Sequence, residues 1–209
     1  YSYGHRNVQG LTWDNDGNCY AAQVNTTTGG ASLWKITTAG VVVWAVDIVH
    51  LVNTGSLRYV AGMAVCGEFL FVAVNAGPTQ PAGIHKVRTA SGTIEHFCQS
   101  NDGNQALVPS DNAQNCLAAC GPNLLGVESY GTASQNQGFR IYDATSACGL
   151  VPAALKTILW GGTKSHTRVK VVSDNLSYFY IIASLNTNSI KKVGIGGNTE
   201  WTSTAAGTP

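Results

Sequence analysis

Ser32-Leu33-Trp34-Lys35-Ile36 alternates polar and apolar residues and closes on a basic residue followed by a branched apolar one. Three other segments repeat the pattern: Gly83-Ile84-His85-Lys86-Val87, Gly138-Phe139-Arg140-Ile141-Tyr142 and Ser189-Ile190-Lys191-Lys192-Val193. From basic residue to basic residue the spacings are 51, 54 and 52 positions. A period of this size marks a repeat architecture, in which one supersecondary unit recurs along the chain.

The flanks recur as well. About fifteen residues before each basic pair lies a β-branched and aromatic run: Cys19 to Val24, Phe69 to Val74, Leu124 to Glu128 and Tyr178 to Ala183. Further upstream stand Val8 to Trp13, Val60 to Val65, Cys116 to Cys120 and Val169 to Val172. A last short strand follows each pair: Val41 to Val46, Thr93 to Phe97, Thr157 to Trp160 and Thr199 to Thr202. Such runs between Gly, Asn and Asp clusters read as strands joined by turns, and no window carries a helical apolar period. Four strands per unit form an antiparallel meander that must stack on its neighbours to bury its faces. The predicted fold is all-β: one β-propeller domain over residues 1–209, with four four-stranded blades of about 52 residues. The blades fall at about 7–47, 59–98, 115–160 and 166–203, and the simplest closed form is a four-bladed ring.

Gly10-Leu11-Thr12-Trp13-Asp14-Asn15-Asp16-Gly17-Asn18-Cys19-Tyr20-Ala21-Ala22, followed by Leu33-Trp34-Lys35-Ile36, resembles a blade of the NHL-type propellers. Their pattern is Gly-apolar-x-x-Asp-x-x-Gly-Asn-x-Tyr-x-Ala, then apolar-x-Lys-Ile. The match covers about thirty residues of the first repeat and is strand-level in the other three. The resemblance implies the fold; propellers of this kind serve as binding modules, scaffolds and, less often, lyases or hydrolases.

Only 11% of the residues are charged, and 12 basic against 11 acidic side chains leave a net charge of +1. That balance offers no surplus for phosphate neutralisation, so nucleic acid is not an expected partner. No apolar run approaches the length of a membrane span. Opening at Tyr1 without a Met or a signal-like stretch is the start expected of a processed or trimmed chain. Six cysteines, low charge, and the sequons at Asn25 and Asn175 favour a secreted, disulfide-containing glycoprotein over an intracellular chain with free thiols. Cys98 and Cys116 bracket a polar insertion and Cys148 sits in an extra loop, so a bridge is expected to join Cys98 or Cys148 to Cys116 or Cys120.

Asp14-Asn15-Asp16-Gly17-Asn18 has the oxygens of a calcium loop but lacks the Glu that closes one, and reads as a strand-to-strand turn. His5 and His166 precede the innermost strands of repeats one and four, at the rim of the central channel, where imidazoles can hold a divalent metal. No carboxylate completes that set, and a hydrogen-bonding role is the plainer reading. No nucleophile elbow, sialidase-type Asp box or phosphate-cradling loop appears, so no cofactor is expected. Five Trp and eight Tyr allow a glycan-binding lectin, but Trp recurring late in the last strand argues for packing. Val41, Val43, Trp44 and Val46 make an apolar outer strand, which in a nearly neutral chain is a pairing edge. The function expected is a non-catalytic, secreted structural or adhesive module, self-assembling into an extracellular filament or matrix. Its partners are further copies, or an extracellular protein or glycan; the alternatives are a lectin and a metal-dependent propeller hydrolase or lyase.

Overall fold

The structure, a computed structural model, describes residues 6–25, 31–48, 60–74, 83–99, 117–129, 138–145, 155–159, 169–184 and 188–204. Among these residues there are strands and turns and no helix. The first sheet comprises β1 (Arg6–Trp13), β2 (Cys19–Asn25), β3 (Ala31–Ile36) and β4 (Val42–Ile48), and the second β5 (Val60–Cys66), β6 (Phe69–Val74), β7 (Gly83–Arg88) and β8 (Ile94–Gln99). The third comprises β9 (Leu117–Cys120), β10 (Leu124–Ser129), β11 (Gly138–Asp143) and β12 (Lys156–Leu159). The fourth comprises β13 (Val169–Ser173), β14 (Tyr178–Ser184), β15 (Asn188–Gly194) and β16 (Thr199–Thr204). Each sheet keeps its strands in chain order and pairs them antiparallel, which is the four-bladed propeller that the repeat predicts.

Turn chemistry explains the short connections. Gly17, Gly40, Gly67, Gly121 and Gly197 all hold positive φ between strands, a conformation in which a Cβ is strained. At 175 the same region is occupied by Asn (φ 62°), the side chain best suited to it after glycine. Gly194-Ile195-Gly196-Gly197 is a hairpin turn, closed by the Gly194 and Gly197 amides.

Consecutive blades stack face to face, with β1 against β5, β5 against β9 and β9 against β13. Between blades one and two lie Tyr20, Leu33, Met63, Leu70 and Val72; between two and three, Phe71, Ala73, Leu117, Leu125 and Tyr142. Between three and four, Phe139 and Phe179 meet edge-on with centroids 5.1 Å apart, surrounded by Ile141, Ile181 and Val193. Fully burying each such side chain contributes roughly 1.5–3 kcal/mol, and the aromatic geometry adds about 1 kcal/mol.

Ladder partners share a face, so the registers show which way each repeated basic residue points. Thr12, Tyr20 and Lys35 form one row turned toward blade two, and Ala64, Phe71 and Lys86 one turned toward blade three. In blade three the row is Leu117, Val127 and Arg140, and it turns back toward blade two. The shared dipeptide therefore conceals a one-residue change of phase. Lys86 and Arg140 are both buried in the same interface, and the position matching Lys86 is Ile141.

No strand of the first blade shares an extended contact with a strand of the fourth among the described residues. The closure expected through the chain ends falls on residues 1–5 and 205–209, outside the described residues. Val8, Leu11 and Trp13, on the face of blade one turned away from blade two, are 56%, 50% and 59% exposed. Val172, Ile182 and Ile190, on the face of blade four turned away from blade three, are 52%, 44% and 41% exposed.

Gly126 lies where a Cβ would stand 2.5 Å from Phe139 Cζ and 2.7 Å from Phe179 Cε1. Gly126→Ala is expected to destabilise the fold by about 1–3 kcal/mol through overpacking, measured by chemical denaturation. An unchanged midpoint would mean that the two phenyl rings are not held in contact.

Candidate functional site

The best-defined polar structure joins blades one and two. Asp14 Oδ1 accepts the amides of Asp16 (3.1 Å) and Asn18 (2.8 Å), while Oδ2 accepts the Asn18 carboxamide (2.8 Å) and the Tyr20 hydroxyl (2.9 Å). Lys35 Nζ stands 3.9 Å from Oδ2. Burial works to raise the Asp14 pKa, but the Asn18 and Tyr20 hydrogen bonds and the Lys35 charge together hold it below its ordinary value. With four donors on two oxygens, this carboxylate fixes a turn, as its sequence predicts, and no group of metal-binding side chains occurs among the described residues.

From this knot Lys35 reaches into the next blade. Its Nζ donates to the Thr89 carbonyl at 3.2 Å, and the Trp44 indole Nε1 donates to the same oxygen at 2.9 Å. Trp44 also packs on Tyr20, with centroids 5.9 Å apart. A lysine and a tryptophan opposite each other in the β3–β4 ladder thus clasp one carbonyl of the following blade. Strand alternation alone does not reveal this clasp; the recurrence of Lys opposite Trp was the available signal.

The interface between blades two and three holds a second polar cluster. Cys66 is buried, with Sγ 3.5 Å from the Leu124 carbonyl and 3.7 Å from that of Gly121. Burial pushes its pKa up to about 12, Asp143 and Cys120 adding to the effect and Lys86 opposing it. A thiol held protonated there is a packing group and not a nucleophile. Lys86 Nζ lies 3.9 Å over the Phe69 ring, which replaces part of its lost hydration.

Cys19, Cys66 and Cys120 carry free thiols, so Cys120 is not a bridge partner in this structure. Cys98 lies in β8 opposite Ile84, and Cys116 and Cys148 lie outside the described residues, as do His5 and His166. Asn25 ends β2. Asn175 is exposed in a turn where its Oδ1 accepts the Gly121 amide at 3.1 Å. Of the outer-strand residues, Val41 and Val43 are exposed, whereas Trp44 and Val46 turn inward against the core between blades one and two. β4 is the last strand of its sheet, so its outer backbone edge has no ladder partner within the sheet.

No protein-family model matches the chain, and no curated protein matches it. Solved structures show the propeller fold. A protein of unknown function from Bacteroides caccae is 12% identical over 96% of this chain and 61% of its own, with a TM-score of 0.51. Hydrazine synthase from Kuenenia stuttgartiensis is 11% identical over 94% of this chain and 49% of its own (TM-score 0.54). Prolyl oligopeptidase B from Galerina marginata is 14% identical over 93% and 26% (TM-score 0.52). The chain thus spans at most about three-fifths of the length of these structures, and the likeness concerns the fold alone.

Two outcomes follow for the polar groups. Because the fold holds the Asp14 carboxyl below the ordinary carboxylate range, its charge stabilises the fold above that range, and this contribution is lost as pH falls through the lower folded value. The stability gap between wild type and Asp14→Asn should therefore be widest near neutrality and shrink below pH about 4, the ordinary carboxyl range; a pH-independent gap would show that the carboxylate is not the fixed form. Cys66 should resist a thiol reagent in the native protein and react fully in denaturant, and labelling at the exposed-thiol rate would place it outside the interface.

Proposed function

We propose that this chain is a secreted, non-catalytic propeller acting as a structural or adhesive module, a repeating subunit of an extracellular assembly. The observation that carries the reading is apolar surface left open at sheet boundaries. Val41, Val42 and Val43 are exposed at the edge strand β4, and the outward faces of blades one and four are apolar as well. Monomeric soluble domains guard such edges with Lys, Pro or covering loops and keep apart by charge repulsion. Here the net charge is +1 and only 11% of residues are charged, so repulsion is weak.

The secreted assignment rests on low charge and on the sequons at Asn25 and Asn175, of which the second lies in an exposed turn. The NHL-like first repeat agrees with a module that presents surfaces, since its motif residues Asp14, Gly17, Asn18, Tyr20 and Lys35 are all consumed in blade structure. Native material is expected to form ordered oligomers or polymers by light scattering and electron microscopy, with the Val42→Lys edge variant shifting assembly to at least tenfold higher concentration. A stable monomer at every concentration would end the proposal.

A further inference from the structure

The Lys–Trp pairing behind the Lys35–Trp44 clasp recurs in the ladder register of blade four. In blade one the ladder row reads Thr12, Tyr20, Lys35, Trp44 from the innermost strand outward. In blade four it reads Val172, Tyr180, Lys192, Trp201. The two rows share the tyrosine, the lysine and the tryptophan. The register shift just after the lysine is common to blades one, two and four, following Lys35, Lys86 and Lys192, so it is the tryptophan opposite that sets blades one and four apart. Blades two and three lack the pair: His96 stands opposite Lys86, and Thr157 opposite Arg140.

The two rows also face the same way along the propeller. Lys35 points toward blade two, where it meets the Thr89 carbonyl. Val193 packs against blade three, so its neighbour Lys192 belongs to the opposite face, with exposed Val172, Ile182 and Ile190. Lys192 there lies 3.5 Å over the Tyr178 ring and 3.7 Å from Glu200, and is held at the surface of that face.

A receiving surface for this row exists in the same chain. Thr89 lies in a turn, directly after Arg88, in which Arg88 N bonds Thr93 O and Gly92 N bonds Arg88 O. In blade one Thr37 N bonds Val41 O and Gly40 N bonds Thr37 O, which places Thr38 at the position of Thr89. Thr38 is exposed, and the face of blade one turned away from blade two carries exposed Val8, Leu11 and Trp13. Every interface inside the chain joins the forward face of one blade to the rear face of the next. The forward face of blade four and the rear face of blade one carry exposed apolar residues, and among the described residues their strands share no extended contact.

We propose that the forward face of blade four docks on the rear face of blade one of a second copy, with Lys192 donating to the Thr38 carbonyl as Lys35 donates to that of Thr89. The occupant is another molecule of this chain because its rear face offers what the blade-four row is built to hold: the turn carbonyl and an apolar sheet face. Such contact is heterologous: two copies either close an eight-bladed ring or, if the rotation does not close, propagate a filament. This interface rests on the self-assembly reading above and specifies its geometry.

Complementation between capped variants tests it. Leu11→Asp spoils the rear face only and Ile182→Asp the forward face only; both positions are half exposed, and circular dichroism confirms the fold. Trp13→Lys and Val172→Lys serve as a second pair if either first variant fails to fold. By multi-angle light scattering, the wild-type chain is expected to assemble, each variant alone to remain monomeric, and a one-to-one mixture to give twice the monomer mass and nothing larger. Lys192→Gln should weaken assembly of the otherwise wild-type chain at least tenfold. If Leu11→Asp assembles alone, or the mixture stays monomeric, the head-to-tail interface is wrong while self-assembly stands. If the wild-type chain is monomeric throughout, both fall.

Discussion

The packing of one four-stranded sheet face on the next supports everything else in this molecule. A meander of four short strands has two apolar faces and no means of covering either by itself, so a blade is stable only as a member of a stack. The three internal interfaces show how this is solved, with an aliphatic and aromatic core at each and a polar clasp added between the first two blades. The same constraint makes the two end blades different in kind, because each has one face that the chain leaves exposed.

Much of this was legible in the sequence because strand period and turn chemistry are local. The β-branched runs at 69–74 and 178–184 alternate with Gly and Asn turns, and each strand lies within one or two residues of where its apolar pattern places it. Asp14 to Asn18 is the turn its composition implies. What failed was non-local. Arg140 looks like the counterpart of Lys86, yet the β10–β11 register rotates it to the opposite face, and no short motif encodes that one-residue slip. Val46 looks like a free edge residue, but it packs in the core between blades one and two beside Trp44, whose recurrence late in the last strand marks it for packing. Of the cysteines expected to bridge, Cys120 is a free thiol in the core between blades three and four, and Cys116 and Cys148 lie outside the described residues.

The functional surface was only partly legible for the same reason. Apolar strands at Val8 to Trp13 and Val169 to Val172 read as core from the sequence, and in the two middle blades the equivalent residues are core. Their exposure emerges only when the stack is assembled and its ends are found unpaired. Of the groups that attract attention as chemistry, Asp14 fixes a turn of blade one and Cys66 is packed between blades two and three against the Leu124 carbonyl.

Hydrogen–deuterium exchange across a dilution series tests the dependence of blade stability on face-to-face stacking. In dilute solution the account predicts slow exchange in β6 and β10, whose sheets are covered on both faces, and faster exchange in β2 and β14. At concentrations that favour assembly, β2 and β14 should slow toward the middle blades while β6 and β10 stay unchanged. Uniform protection of all four blades in dilute solution, unaffected by concentration, would contradict it.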